Sequence, residues 1–377
     1  RRGARQSDPF PSPVREGRIS AAAALVGIIA NPAASKDIRR LVAQGRVVPD
    51  WEKVNILRRV MLGLQAVGIR RVLAMPDSSH LAARARDDAH LSLELGILPM
   101  PTFHTEEDTV RAAATMAEMG VACLVTLGGD GTNRAVAKGL RLRMNAENRS
   151  CTSLPLVAIS TGTNNVFPAM VEGTLAGLAA GLVAQERVDL ERVSVVSKTL
   201  EVYLDGQYRD LALIDVALSR ERFVASRAIW DLSTIYEVFL TRAEPASIGL
   251  SAVGAQLQPV SLADEGGLYY RLGMPNPSPL MGEGQDGGAA TVLAPIAPGV
   301  VPLVPIAHWR RLAADERIAV ERRYSTVALD GERTFAVSPH QQLEVVVRRN
   351  GPRVVQAETV LREAAERGVF RSNFPWA

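Results

Sequence analysis

Gly128-Gly129-Asp130-Gly131-Thr132 is the stretch whose residue types point most directly to chemistry. Three glycines within four positions let a backbone approach a ligand that a Cβ would exclude, and they permit positive φ. A helix starting after such a turn presents unpaired N–H groups and the positive end of its dipole, which suits phosphate oxygens. Asp130 sets a carboxylate among them. An anion at a phosphate site requires a cation or a hydroxyl beside it, so Asp130 would orient Mg2+ or accept the proton of an attacking alcohol. The same residue would equally serve as a simple cap of the next helix. Gly-Lys-Ser/Thr is missing, which excludes a Walker A loop, and so is the Gly-x-Gly-x-x-Gly dinucleotide fingerprint.

Two further loops have similar character. Ser160-Thr161-Gly162-Thr163-Asn164-Asn165 follows an apolar run and supplies hydroxyl and amide donors, or else an N-cap cluster before Val166. Asn31-Pro32-Ala33-Ala34-Ser35-Lys36 follows the run Leu25–Ala30, and Lys36 is one of only four lysines, with Lys53, Lys138 and Lys198. A solvated lysine is the plainer reading of Lys36 alone. Taken together, three donor-rich loops read better as a polyphosphate site.

The elements that must position these loops alternate between strand and helix. Leu25–Ala30, Arg71–Met75, Val121–Leu127 and Leu156–Ile159 are apolar runs of strand length. Between them, a helix-like stretch starts at Asp37, Trp51 to Val67 carries apolar residues at helical spacing, and Glu106–Met119 and Asn133–Leu142 follow the same grammar. Alternation of this kind predicts a parallel sheet covered on both faces, with ligands beyond the carboxyl ends of its strands. All three loops fall at such ends. Past about residue 190 the pattern becomes mostly antiparallel β: Val193–Val196, Leu200–Leu204, Leu211–Leu218, Arg222–Ala225, Ser325–Leu329, Leu343–Val347 and Val354–Val355, with Asp205-Gly206 and Asp330-Gly331 as hairpin turns. Glu358–Val369 reads as a last helix with Val360, Leu361, Ala364 and Ala365 on its apolar side.

With 377 residues the chain is long for one domain and comfortable for two. Apolar residues at 47% and charged residues at 22% fit a core-forming globular protein. A net charge of +3 gives no reason to expect nucleic acid as a partner, and no run reaches the ~18 apolar residues of a membrane helix. Cys123 and Cys151 cannot build a disulfide framework, and neither they nor the scattered histidines have zinc-ligand spacing. Residues 1–20 read as a disordered Arg/Ser/Pro-rich tail. Arg18 before Ala21–Ala30 superficially resembles a signal peptide, but the loop-and-helix pattern that follows favours a buried first strand and a cytoplasmic protein. The expected domains are an α/β nucleotide-binding domain over 21–188 and a β-sandwich domain over 189–356 with a flexible insertion at 274–290. A C-terminal helix over 357–377 would return to the first domain.

The chain resembles the ATP-NAD kinase and diacylglycerol kinase superfamily over roughly residues 25–370, and within it the acetoin catabolism protein X group. Gly128-Gly129-Asp130-Gly131-Thr132 matches the superfamily's hallmark loop, and Asn31-Pro32 and Gly162-Thr163-Asn164-Asn165 are similar to the accompanying loops. Leu156 to Pro168 and Gly27 to Leu41 point to the acetoin group. Ala294 to Pro298 and Val327-Ala328-Leu329-Asp330-Gly331-Glu332 are similar to late strands of the β-sandwich domain. The resemblance implies ATP and Mg2+ bound between the domains. Three departures concern the acceptor and the first loop. Ile214 stands where NAD kinases carry an asparagine, Ser247–Ala255 lacks their NAD-holding pattern, and Ala34-Ser35-Lys36 replaces an expected Ser-Gly-Lys.

These readings converge on ATP-dependent phosphoryl transfer to a hydroxyl acceptor, with NAD to NADP the leading candidate. Gly128, Gly129, Gly131 and Thr132 would cradle phosphates, with Gly162 in the neighbouring donor loop. Asn31, Thr163 and Asn165 would contact nucleotide, Lys36 would offset phosphate charge, and Asp130 would be the catalytic residue or an Mg2+ contact. The alternatives are a kinase of a lipid or small hydroxy metabolite, and a non-catalytic nucleotide-binding regulatory protein. Expected partners are a nucleotide and a small-molecule substrate, with homo-oligomerisation left open.

Overall fold

The computed structural model describes residues 24–34, 45, 47–147, 154–162, 164–221, 232–273 and 288–371. Lys36, Thr163, the helix expected from Asp37, the strand expected at Arg222–Ala225 and the tail over 1–20 lie outside the described residues, as does most of the insertion at 274–290.

The first half builds β1 (Leu25–Ala30), α1 (Asp50–Ala66), β2 (Arg71–Ala74), α2 (Leu81–Arg86), β3 (Glu94–Ile97), α3 (Glu106–Glu118), β4 (Cys123–Gly128), α4 (Asp130–Glu147), β5 (Pro155–Ser160) and α5 (Gly173–Ala184). A short α6 (Leu190–Val193) and β6 (Ser194–Val196) follow. The strands assemble in the order β3-β2-β1-β4-β5, all parallel. They are apolar along their length because helices cover both faces. Val125 and Leu127 turn toward the core beneath α1, α2 and α5, whereas Leu124 turns toward Ala112, Met116, Val136 and Leu140 of α3 and α4. Helix α1 buries Val54, Leu57, Met61 and Leu64 as its spacing predicts, but Trp51 stands 61% exposed at its start.

The second half is antiparallel. It comprises β7 (Thr199–Leu204), β8 (Gln207–Ala212), β9 (Asp215–Ser219), β10 (Ile235–Leu240), α7 (Leu250–Leu257), β11 (Gly267–Leu272), β12 (Ala290–Leu293), β13 (Leu303–Leu312), β14 (Arg317–Ala319), β15 (Ser325–Leu329), β16 (Glu332–Val337) and β17 (Leu343–Arg348). One sheet runs β12-β13-β11-β10-β9-β15-β16 and the other β14-β17-β7-β8. Leu200, Val202, Val216, Leu218, Val327 and Val345 pack between them as a sandwich core. The run Leu211–Leu218, expected as one strand, is broken at Leu213–Ile214, and its two halves enter different sheets. The last strand, β18 (Arg353–Val355), returns to the first sheet, parallel to β5 and antiparallel to β6, and α8 (Ala357–Glu366) packs on α5. On α8 it is Glu363 rather than Ala365 that turns inward, because its carboxylate accepts the N–H of Asp189. No described helix is long and apolar enough to cross a membrane.

Candidate functional site

Strand β4 lies between β1 and β5, so the three loops read from the sequence emerge side by side at the carboxyl edge of the sheet. They line a cleft of about 380 Å³ whose opposite wall carries Pro298, Asp330 and Glu332 of the second half. That volume lies toward the small end of ligand pockets.

The central loop is tighter than the sequence suggests. β4 ends at Gly128 and α4 already begins at Asp130, leaving Gly129 as the only linking residue. Among the described glycines with positive φ, none belongs to this loop, so left-handed backbone is not the reason for them. Close approach is. A Cβ on Gly129 would lie 2.9 Å from Asn165 Oδ1, and one on Gly128 would lie 2.5 Å from Thr132 Oγ1. Gly131 faces Glu332, whose Oε1 would lie 3.4 Å from a Cβ there. The first N–H groups of α4 have no acceptor within the helix, and they open toward the cleft.

Hydrogen bonds stitch the three loops together. Asn31 Nδ2 donates to Thr132 Oγ1 at 3.0 Å, and the Asn31 N–H donates to Leu127 O at 3.0 Å. Thr126 Oγ1 donates to Asn133 Oδ1 at 2.7 Å, while Asn133 Nδ2 closes back on Gly129 O at 2.9 Å. Ser160 Oγ accepts from Asn165 Nδ2 at 2.9 Å and donates to Gly162 O at 2.8 Å. The Asp130 carboxylate accepts the N–H groups of Val166 at 3.1 Å and Phe167 at 2.8 Å. Asp130 thus holds the third loop as well as facing the cleft. Asn31, Gly129, Gly131, Thr132 and Asn165 are brought together there, with Gly128 and Gly162 immediately behind them, whereas Lys36 and Thr163 fall outside the described residues.

Several residues of the site escape sequence reasoning. Lys53 of α1 is fully buried and donates to Pro32 O at 2.6 Å and Ala34 O at 2.7 Å, fixing the first loop from below. Only its scarcity as a lysine hinted at a role. Asp330 and Gly331 form the expected hairpin turn, with φ of 51° and 76°, but the turn also closes the cleft. The Asp330 carboxylate accepts the N–H groups of Leu213, Ile214 and Asp215 at 3.0, 2.7 and 3.2 Å. Burial pushes that carboxyl up to about 7; Arg134 and the backbone donors pull it down, and Asp130 adds to the rise. Arg134 of α4 is buried, donates to Leu329 O at 3.2 Å and pairs with Glu106 at 3.4 Å. Among the described residues no group of three or more His, Cys, Asp or Glu side chains is arranged to hold a metal ion. A magnesium ion held by one or two carboxylates and completed by substrate phosphates needs no such cage, and Asp130 at the cleft fits that mode.

Comparison with known proteins covers both halves. The ATP-NAD kinase N-terminal domain model matches residues 26–187, and the acetoin catabolism protein X C-terminal domain model matches residues 198–350. A relative named acetoin catabolism protein X, from Cupriavidus necator, is 38% identical over 362 residues, which cover 93% of this chain and 95% of the relative. Among solved structures, a candidate diacylglycerol kinase from Bacillus anthracis str. Sterne aligns over 88% of this chain and 96% of its own, at 13% identity and a TM-score of 0.44. A second structure of a candidate diacylglycerol kinase from that strain gives 12% identity and 0.42, over 88% and 97% of the two chains. With that identity running through both halves, the chain belongs to the acetoin catabolism protein X family.

Proposed function

We propose that the cleft binds ATP with Mg2+ and passes the γ-phosphoryl group to an alcohol, with NAD as the first acceptor to test. The observation that supports this most is the convergence of three donor-bearing loops at the ends of adjacent strands, with Gly129 alone between β4 and α4. Phosphoryl transfer demands mainly positioning and charge neutralisation, which such a cradle provides. Gly128, Gly129, Gly131 and Thr132 would receive phosphate oxygens. Asn31, Gly162 and Asn165 would hold the flanking loops in place, and Lys36 and Thr163 would add a cation and a hydroxyl. The bound metal would supply charge neutralisation on the phosphates. Asp130 would accept the acceptor's hydroxyl proton as the new oxygen–phosphorus bond forms and the bond from phosphorus to the ADP oxygen breaks.

The test is NADP formation by the full chain with Mg-ATP and NAD, read through an NADP-specific dehydrogenase. Loss of a general base lowers rates by roughly 10²–10⁴, so Asp130→Asn is expected to lose most turnover while remaining folded. Turnover at the wild-type rate in that variant would sink the assignment. A second reading has its own support: Ser247–Ala255 lacks the NAD-holding pattern of NAD kinases, which favours a lipid or small hydroxylated acceptor. ATP consumed on another alcohol without NADP formation would establish it. A melting temperature raised by ATP with no transfer to any acceptor would instead mark a nucleotide-binding regulatory protein.

A further inference from the structure

Arg242 follows β10 at the junction of the two halves and is only 8% exposed. One face of its guanidinium lies over the Phe167 ring, 5.4 Å from the centroid, and Phe167 is the residue whose N–H donates to Asp130. Nη2 is fully buried and has no hydrogen-bond partner. The carboxylates that act on it are Asp130, Glu244 and Asp330. Asp130 and Asp330 already accept backbone N–H groups, from Val166 and Phe167 and from Leu213, Ile214 and Asp215. A charged donor left dry and unpaired is costly, and in native proteins such a group is met by a ligand, an ion or an ordered water. The charged Nη2–H groups of a guanidinium are donors that an oxyanion oxygen accepts well.

We propose that Arg242 binds an oxyanion of the ligand, a phosphate or phosphate-ester group, from the second-domain side of the loop that Asp130 holds. The choice of phosphate over carboxylate rests on the phosphoryl-transfer reading; the unpaired guanidinium does not. Arg242 lies outside the loops that would cradle the nucleotide, so its removal should separate the two ligands.

The experiment is calorimetric titration of the full chain with inorganic phosphate, with NAD and with Mg-ATP, for wild type, Arg242→Met and Arg242→Lys. Loss of a charge-assisted hydrogen bond should weaken phosphate about ten- to a hundredfold in Arg242→Met. Arg242→Lys should recover part of it, because the positive charge is kept. Mg-ATP affinity should fall by less than phosphate affinity does, because Arg242 acts on Asp130 only through charge and through Phe167. NAD weakened in parallel with phosphate identifies the acceptor as the source of the oxyanion; NAD unchanged identifies free phosphate. Phosphate bound at wild-type affinity by Arg242→Met overturns the proposal, as does equal loss of phosphate and Mg-ATP, the mark of a structural role. A wild-type crystal soaked in phosphate that shows only a water on Nη2 overturns it as well. Should Arg242→Met fail to fold by circular dichroism, Arg242→Lys and the soaked crystal decide between the two outcomes. Phosphate held through Arg242 with no Mg-ATP binding in wild type would refute the phosphoryl-transfer reading and leave this one standing.

Discussion

Lys53 and Lys198 are both buried, and each spends its ammonium on backbone carbonyls: Lys53 on Pro32 and Ala34, and Lys198 on Ser261 at 2.9 Å and Gly266 at 2.8 Å. Loops cannot satisfy their own carbonyls as helices do, so a buried cation that donates to two of them fixes a loop's shape. Burial pushes Lys198 down to about 8; Asp264 opposes this, while Arg242, Arg349 and Arg311 reinforce it. Its unfolded value is about 10.4. Between those values the unfolded chain binds more protons than the folded one, so this lysine's contribution to stability rises with pH across that window. The gain is at most about 1.4 kcal/mol per pH unit. Urea unfolding of wild type and Lys198→Met from pH 7 to pH 10.5 should therefore diverge as pH rises, with wild type gaining. Parallel curves would show that Lys198 does not titrate there.

At the scale of elements, α1 and α5 cross so closely that glycine is required at the contact. A Cβ on Gly177 would run into the carbonyl oxygen of Val60 in α1, and one on Gly173 would lie 2.6 Å from Ile56 O. The carbonyl is backbone and cannot turn away, so Gly177→Ala must push the helices apart. Overpacking of this kind costs about 1–3 kcal/mol, which thermal unfolding would read as a lower Tm; an unchanged Tm would mean that α5 slides freely on α1. The helix and strand periodicities were readable because each of these elements buries a regular face. The break inside Leu211–Leu218 was not, since it is made by Asp330, more than a hundred residues away in sequence, taking the N–H groups of Leu213, Ile214 and Asp215. No local pattern records such a long-range acceptor. Trp51 failed for a related reason: helical spacing marks a face, but nothing in the sequence shows that the core begins only one turn later.

Across the whole molecule, the chain passes between the two halves at two adjacent points. The Ser197 N–H donates to Pro352 O and the Gly351 N–H to Ser197 O, each at 3.0 Å, and Thr199 Oγ1 donates to Asn350 Oδ1 at 2.7 Å. On α4, Arg134, Lys138 and Arg141 follow one another at spacings of four and three, which places them on one face. That face docks on the second half: Arg134 on Leu329 O, Lys138 on Asp210 at 3.2 Å, and Arg141 on Glu201. The helix that opens the candidate site is thus the one clamped to the other half. Burial works to raise the Glu201 carboxyl, but hydrogen bonds from Tyr203, Asn350 and Arg141 outweigh it and hold the carboxyl below its ordinary value. Stability drawn from it is present at neutral pH and lost as pH falls through the carboxylate range. Arg141 is 22% exposed, so its loss of a partner is softened by water, and removing the buried Glu201 costs about 1.5–3 kcal/mol, the range for a hydrogen bond to a charged group. Glu201→Ala should therefore unfold at markedly lower urea at pH 7, and the double variant with Arg141→Met should cost less than the sum of its parts. Strict additivity would show that Arg141 and Glu201 do not act as a pair.

By itself the sequence determined the parallel-then-antiparallel plan and the three loops, because apolar runs and glycine-rich turns are local signals of burial and close approach. It also marked Asp130 as a carboxylate out of place among phosphate-binding amides. Only the tertiary structure decided what that carboxylate touches and which residues face it. Asp330 and Glu332 reach the cleft from a hairpin two hundred residues further along the chain, and the charge of Asp330 acquires meaning only when burial strips away the water that would otherwise screen it.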